Sequence, residues 1–309
     1  MQQDTSTTMP ENRLVGESDG LRHWQEAGCW FRYGEHAIFS RIGGQGEPLV
    51  LIHGFPTASW DWHRLWPALS EHYRVMAPDM LGFGFSDKPQ DHAYSIIEQA
   101  DMIQGWLEQM GMERVHLFAH DYGATVTQEL LARDREGSLG FRIESVALMN
   151  AALFPEVHQP ILIQKLLLGP LGGLVSRALT RRVFESSLGR IFGPGTQPTR
   201  RDIEDFWQLL IHNNGRGVIH RIIHYMAERR VHRPRWVGAL QAMQQPALLI
   251  WGGADPVSGR AMLQRYRELV SDRGIALLDD IGHYPHFEAP AETLQHYLAF
   301  RRRIARTDD

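Results

Sequence analysis

The sequence predicts an α/β protein, a mostly parallel, doubly wound sheet interrupted by a helical insertion. Three observations lead there. Short apolar runs recur along the chain, most of them followed by a helix-like stretch, the alternation of a parallel sheet covered on both sides. The segment Ala119-His-Asp-Tyr-Gly123 sits between an apolar strand pattern and a helical one. Between about residues 152 and 245 the rhythm gives way to helical patterns broken by Gly169-Pro170, Gly193-Pro-Gly195 and Pro198.

Residues 1–22 are polar and read as a flexible tail. Residues 30–33 and 36–42 flank Gly34 and read as a hairpin. Pro48-Leu-Val-Leu-Ile52 is a continuous apolar run, as expected of a strand buried on both faces. Residues 73–77 are the next strand, and 96–110 have helical spacing that stops at Gly111. A strand at 115–118 leads into the junction. Residues 143–149, 247–251 and 275–278 complete the sheet. The expected organisation is a core of 23–151 and 246–309 carrying a helical cap of 152–245. No internal repeat or low-complexity segment is present.

The chain has 309 residues and is 43% hydrophobic, enough for one large core plus an insertion without disulfides or metal. Lys and Arg number 32 against 36 Asp and Glu, a formal charge of −4, which gives no reason to expect nucleic acid as a partner. Cys29 is the only cysteine, so no internal disulfide or cysteine-rich zinc site exists. With no apolar signal-peptide core near Met1 and no apolar run approaching the roughly 20 residues that span a bilayer, the expectation is a cytoplasmic protein. Nothing in the sequence sets its oligomeric state.

The junction carries the chemistry. A small residue, a nucleophile flanked by two variable positions, then Gly, between strand and helix, is the nucleophile elbow of α/β-hydrolases. Gly123 permits the tight bend, and the helix that follows turns its free N–H groups toward negative charge. The nucleophile position holds Asp121 rather than Ser or Cys. A carboxylate suits attack on an sp3 carbon, as in an epoxide or alkyl halide. The competing reading of Asp121 is a plain helix cap. Further motifs stand where this fold needs them. His53-Gly-Phe-Pro56 follows a strand, so that the N–H groups of Phe55 and Tyr122 would form an oxyanion hole; the alternative is an ordinary turn. Asp255, after the strand ending at Trp251, is placed to orient a histidine or merely to cap a helix. His283, in Ile281-Gly-His-Tyr-Pro285, is the candidate general base. Asp79 to Asp87 reads as a loop shaping the sheet edge.

Two decoys are set aside. Gly16-Glu-Ser-Asp-Gly20 fits a serine elbow literally, but no strand precedes Ser18 and no apolar helix follows it. His120-Asp121 as a metal pair lacks the companion ligands such sites need, so no metal and no cofactor are expected.

The motifs resemble the aspartate-nucleophile branch of the α/β-hydrolases, which includes epoxide hydrolases and haloalkane dehalogenases, from about Trp24 onward. A closer resemblance is to the mesoderm-specific transcript family. It rests on His53-Gly-Phe-Pro-Thr-Ala-Ser-Trp-Asp-Trp62, Leu81-Gly-Phe-Gly-Phe-Ser-Asp-Lys-Pro89, Tyr94-Ser-Ile-Ile-Glu-Gln-Ala100, His120-Asp-Tyr-Gly123, Arg235-Trp-Val-Gly-Ala-Leu240, and Leu278-Asp-Asp280 followed by His283-Tyr-Pro285.

The branch sharpens the choice of substrate. Haloalkane dehalogenases grip halide with a Trp after the nucleophile and an Asn after His-Gly; here those positions hold Tyr122 and Phe55. Fluoroacetate dehalogenases place arginines just after the nucleophile, where this chain has Tyr-Gly-Ala-Thr. Epoxide hydrolases share His-Gly-Phe-Pro and use two cap tyrosines as acids. Only Tyr225 lies in the cap here, at a distance ahead of Asp255 like that of the second of these; His212, Asn213 and His224 are candidates for the other.

The resemblance therefore implies an epoxide hydrolase working on a small apolar electrophile, with Asp121 as nucleophile, Tyr225 as acid and His283, oriented by Asp255, activating water. Haloalkane dehalogenation is the alternative. Trp60, Trp62, Phe154, Trp207, Trp236 and Tyr284 are candidates to line an apolar pocket, although core packing is the ordinary role of any one aromatic. Readings of another class are a non-hydrolytic binder and a membrane-associated lipid enzyme. For the latter, Ile161-Leu-Ile-Gln-Lys-Leu-Leu-Leu168 with Arg177, Arg181 and Arg182 is apolar and basic enough to touch lipid, against the commoner reading of a cap helix facing the active site.

Overall fold

The computed structural model describes residues 18–272 and 274–306. Eight strands form one sheet: β1 Cys29–Tyr33, β2 His36–Gly43, β3 Pro48–Ile52, β4 Arg74–Pro78, β5 Arg114–His120, β6 Arg142–Met149, β7 Ala247–Gly252 and β8 Ile275–Leu278. Their order is β1-β2-β4-β3-β5-β6-β7-β8. β2 runs antiparallel to β1 and β4, and every other pairing is parallel. Leu49 to Ile52 are all buried. Successive side chains of a strand point to opposite faces, so the sheet is covered on both. This is the α/β-hydrolase fold that the sequence predicts.

Parallel order puts the carboxyl ends of β3, β5, β6 and β7 at one edge, where ligands of open α/β sheets bind. Four segments leave that edge: 53–56 after β3, Asp121 after β5, Asn150 after β6 and Asp255 after β7. Between β6 and β7 the chain makes a helical insertion: Leu162–Leu168, Gly172–Arg177, Arg181–Gly189, Arg200–Ile211, Ile219–Ile222, Tyr225–Val231 and Arg233–Ala242. The last of these packs on the core helix Tyr122–Glu136. Arg235 Nε lies 2.7 Å from Glu129, and Trp236 Nε1 donates to the same carboxylate at 2.8 Å. Trp236 is thus a bolt between insertion and core.

The N-terminal expectation needs correction. Residues 1–17 lie outside the described residues, but 19–22 open a helix, Asp19–Glu26, rather than belonging to a tail. Ser18 caps it, and its N–H and Oγ both donate to Asp205 of the insertion, at 2.9 and 2.7 Å. Leu21 is fully buried, and Trp24 packs edge-on against Trp60 and Trp66. Two apolar residues in eight are too few to show a period, so only burial reveals the helix. Ser18, the decoy serine, is a helix cap.

Candidate active site

Asp121 stands at the bend between β5 and the helix Tyr122–Glu136 with φ 42° and ψ −106°. A positive φ is costly for a residue with a Cβ, and here it projects the carboxylate out of the sheet edge. The turn is tight enough that a Cβ on Gly123 would come within 2.4 Å of the Ile52 carbonyl oxygen; Gly123 N–H donates to His53 O at 3.0 Å. Phe55 N–H donates to Asp121 Oδ2 at 3.2 Å. The helix begins at Tyr122, so its first N–H groups have no intrahelical carbonyl.

His283 faces the same cavity as Asp121 and Phe55. Its Nδ1 donates to Asp255 Oδ2 at 2.8 Å, which leaves Nε2 for the site. Asp255 is buried and held by further donors: Asn150 Nδ2 at 2.9 Å, Ser258 Oγ at 2.6 Å and Val257 N–H at 2.8 Å. Burial alone would raise the Asp255 carboxyl. The charge and hydrogen bond of His283, with Ser258 and Val257, outweigh it and hold the group at about 2. Burial likewise opposes the His283 proton, but Asp255, then Asp121 and Glu288, raise that imidazole to about 9. The pair is an ion pair stabilised by its surroundings.

The sequence reading missed Arg229. It is buried, its Nη2 lies 3.5 Å from Asp121 Oδ1 and 3.3 Å from Asp121 O, and its Nε donates to Thr125 Oγ1 at 2.8 Å. Burial would raise the Asp121 carboxyl, but Arg229 first, then His283, His120 and the Phe55 N–H, hold it below the ordinary value. Tyr225 lies one helical turn before Arg229, and residues four apart share a helix face; that spacing was the available signal. The Arg229 guanidinium stands 4.5 Å from the Tyr225 ring centre. Burial and the Asp121 charge raise the Tyr225 phenol, keeping it protonated. Its ring lies against Tyr122 and Phe55, at 4.9 and 5.7 Å, but Tyr225 is not among the residues facing the cavity.

The cavity, about 60 Å³, is walled by aliphatic side chains of the insertion, among them Ile163, Leu167, Leu188, Ile191 and Leu210, over Asp121 and His283. None of the aromatic candidates lines it. Trp60 stacks on His63 at 3.9 Å, and Trp62 packs between Phe118 and His286. Phe154 is buried beside Met262, Trp207 lies behind the cavity residue Phe184, and Tyr284 stacks on Phe192 at 5.1 Å. Trp60 and Trp62 thus pack within the core and Trp207 within the insertion, whereas Trp236 and Tyr284 bridge the two. His212 packs on Phe85 and faces no part of the cavity. Glu288 ties the two layers together, accepting from Gly193 N–H of the insertion at 2.7 Å and from Gly282 N–H at 3.0 Å.

Behind the elbow, Asp61, His120 and His286 converge, with ligand atoms within 4.8 Å of one another. His120 Nε2 contacts the His283 carbonyl at 2.8 Å, and as the only available donor of that contact it must carry the proton. His120 Nδ1, Asp61 Oδ1 and both nitrogens of His286 are buried without a hydrogen-bond partner among the described residues. This donor set could hold ordered water or a small cation. It is a second feature the sequence did not show, because its members are far apart in the chain.

A buried carboxylate on an elbow, an N–H aimed at it and a histidine–aspartate pair beside it define the α/β-hydrolase class, and residues 47–290 match the family described as alpha/beta hydrolase fold. The mesoderm-specific transcript protein of Mus musculus is 41% identical over 297 residues, covering 92% of this chain and 88% of that one. The cis-3-alkyl-4-alkyloxetan-2-one decarboxylase of Shewanella oneidensis is 26% identical over 270 residues, 83% of this chain and 82% of that one. The solved structure of the epoxide hydrolase CorEH superposes with a TM-score of 0.75 at 17% identity, over 90% of this chain and 99% of that one, a likeness of fold. The chain belongs to the α/β-hydrolase family, in the group of the mesoderm-specific transcript proteins.

Proposed function

We propose that the protein hydrolyses a small apolar electrophile at an sp3 carbon, an epoxide foremost, through a covalent ester on Asp121. The observation that carries this is the nucleophile position itself: an ionised carboxylate at a strained bend, with Oδ2 on the Phe55 N–H and Oδ1 facing Arg229 at 3.5 Å without a hydrogen bond. Asp121 Oδ1 attacks the ring carbon and the carbon–oxygen bond breaks. The leaving oxygen takes a proton from Tyr225, which has Arg229 beside it and packs on the cavity residue Phe55, so that its phenol has to turn toward the substrate to act. Alkylation neutralises Asp121 and removes one of the charges that hold the His283 proton. Once that proton has passed to solvent, the neutral His283 accepts a proton from water, the hydroxide adds to the Asp121 carboxyl carbon, and the N–H groups of Phe55 and Tyr122 stabilise the oxyanion. Collapse releases the diol, whose second hydroxyl takes the proton held by His283, and the proton left on the regenerated Asp121 carboxyl returns to Tyr225. No cofactor enters this scheme. Turnover in oxygen-18 water should leave label in the Asp121 carboxylate; a confirmed substrate turned over many times without label there excludes the covalent route.

Arg229 favours a second reading. A guanidinium beside the nucleophile suits a carboxylate leaving group. Such a group forms when a strained cyclic ester is opened at its sp3 carbon, and the Shewanella relative is named for a substrate of that kind. Loss of carbon dioxide with formation of an alkene would then return the bonding pair to Asp121 without water. Label stays out of Asp121 in that case, and the product is an alkene rather than a diol.

A further inference from the structure

Among the described residues, the large apolar side chains left exposed all belong to the insertion. Five of them, Leu162, Leu166, Leu171, Leu174 and Val183, lie between residues 162 and 183. Leu162, Leu166 and Val183 line one groove, and Leu171 and Leu174, at the helix that packs against Leu162–Leu168, are each 64% exposed; so much exposed apolar surface is unusual for a soluble protein. The helix Leu162–Leu168 divides its apolar residues: Ile163 and Leu167 wall the catalytic cavity, whereas Leu162 and Leu166 point away from it. The outward side forms an open apolar groove of about 430 Å³, with Arg182 and Arg190 on its rim. Ile161, Ile163 and Ser187 line both spaces, so the groove and the catalytic cavity share a wall.

The charge follows the same pattern. Residues 157–199 contain five basic side chains, Lys165, Arg177, Arg181, Arg182 and Arg190, and one acidic, Glu185, in a chain whose formal charge is −4. Arg181 is held by Glu185 and Glu204. The other four are exposed, with no carboxylate in ion-pair distance among the described residues. Among the described residues no helix is long and apolar enough to cross a membrane.

We propose that this face of the insertion docks on an anionic lipid bilayer, its leucines in the acyl boundary and its free basic side chains on the headgroups. Exposed leucines ringed by cations match an anionic membrane surface in both terms. A second copy of the chain matches it in only one. A two-fold dimer sets the same patch against itself, which would press four unpaired cations against four more. Docking also places the groove, and through its wall the catalytic cavity, at the lipid boundary. Resting on the proposed chemistry, this makes the electrophile a lipid-dissolved one.

Flotation of the full chain with vesicles reads the docking without any substrate, so it stands or fails apart from that chemistry. The protein should float with vesicles of phosphatidylcholine and phosphatidylglycerol, stay behind with phosphatidylcholine alone, and be released by high salt. Arg182→Glu with Arg190→Glu should lower the partition coefficient by about 30-fold or more, at roughly one kcal/mol per basic residue. Leu171→Glu with Leu174→Glu should lower it comparably. All four positions are at the surface, so thermal unfolding should not change. Absence of flotation, or equal flotation of the variants, overturns the proposal. So does light scattering that shows a dimer dissolved by the leucine substitutions without vesicle binding, which would assign the face to self-association.

Discussion

On the floor of the cavity Asp255 accepts hydrogen bonds from His283, Asn150, Ser258 and Val257. In the roof Ile163, Leu167, Leu188 and Leu210 offer none. The floor is built at strand ends, where the sheet holds the backbone and the Asp255 carboxylate has fixed donors on four residues. Such rigidity suits chemistry, in which an error of an ångström is costly. The roof is built from short helices whose apolar residues either wall the cavity or face outward. Its selectivity is therefore one of volume and lipophilicity, which costs or gains only about 1–3 kcal/mol per methylene. Floor substitutions should act on kcat and on intermediates, roof substitutions on KM.

The largest effect expected is at His283. His283→Gln should alkylate Asp121 and then stall, since the second half-reaction lacks its base. Intact-protein mass should show the added substrate, and steady-state diol formation should fall by about 10³-fold or more, the upper part of the range for one acid–base group. Normal turnover would reassign the base. Persistent turnover that yields alkene would instead favour ring opening followed by loss of carbon dioxide.

Tyr225→Phe comes next. It removes the proposed proton donor, and epoxide opening should slow by about 10²–10⁴-fold. Release of bromide from a bromoalkane should barely change, because bromide needs no proton. If the variant opens epoxides at the wild-type rate, Tyr225 is a packing residue between Tyr122, Phe55 and Arg229.

A roof substitution should separate cleanly from these. Ile163→Ala should raise KM for a long apolar substrate by about tenfold and leave kcat within about twofold. Ile163 is only half-buried, so folding should be spared. A large fall in kcat would show that the roof positions reacting atoms and would blur the division between the layers.

The smallest effect is electrostatic. The negative charge of Asp121 helps hold the proton on His283, which is raised to about 9. Removing that charge stabilises the neutral imidazole, so Asp121→Asn should lower the His283 pKa by roughly one unit. Its ring resonances, followed by NMR against pH, read the shift directly. An unchanged or raised value would mean that Asp255 alone sets the proton affinity and that ester formation does not prime the base.

The strands, the elbow, and the chain order of Asp121, Asp255 and His283 were legible in the residues. Parallel buried strands are short, continuous apolar runs, and their ends carry motifs at fixed places. Local pattern thus determined the fold class and where the floor of the site would be. What faces the cavity did not follow in the same way. Tyr225 and Arg229 share a helix face, but only the path of the insertion brings Arg229 to Asp121, more than a hundred residues away in the chain. The tryptophans looked like pocket walls because they are large and apolar, yet Trp60 and Trp62 pack inside the core, Trp207 inside the insertion and Trp236 between the two, which leaves mostly aliphatic side chains over Asp121. The cluster of Asp61, His120 and His286 and the anchoring of Ser18 on Asp205 likewise join segments with no sequence relation. Such contacts depend on how layers meet, and one chain's local pattern carries no trace of a neighbour that only folding supplies.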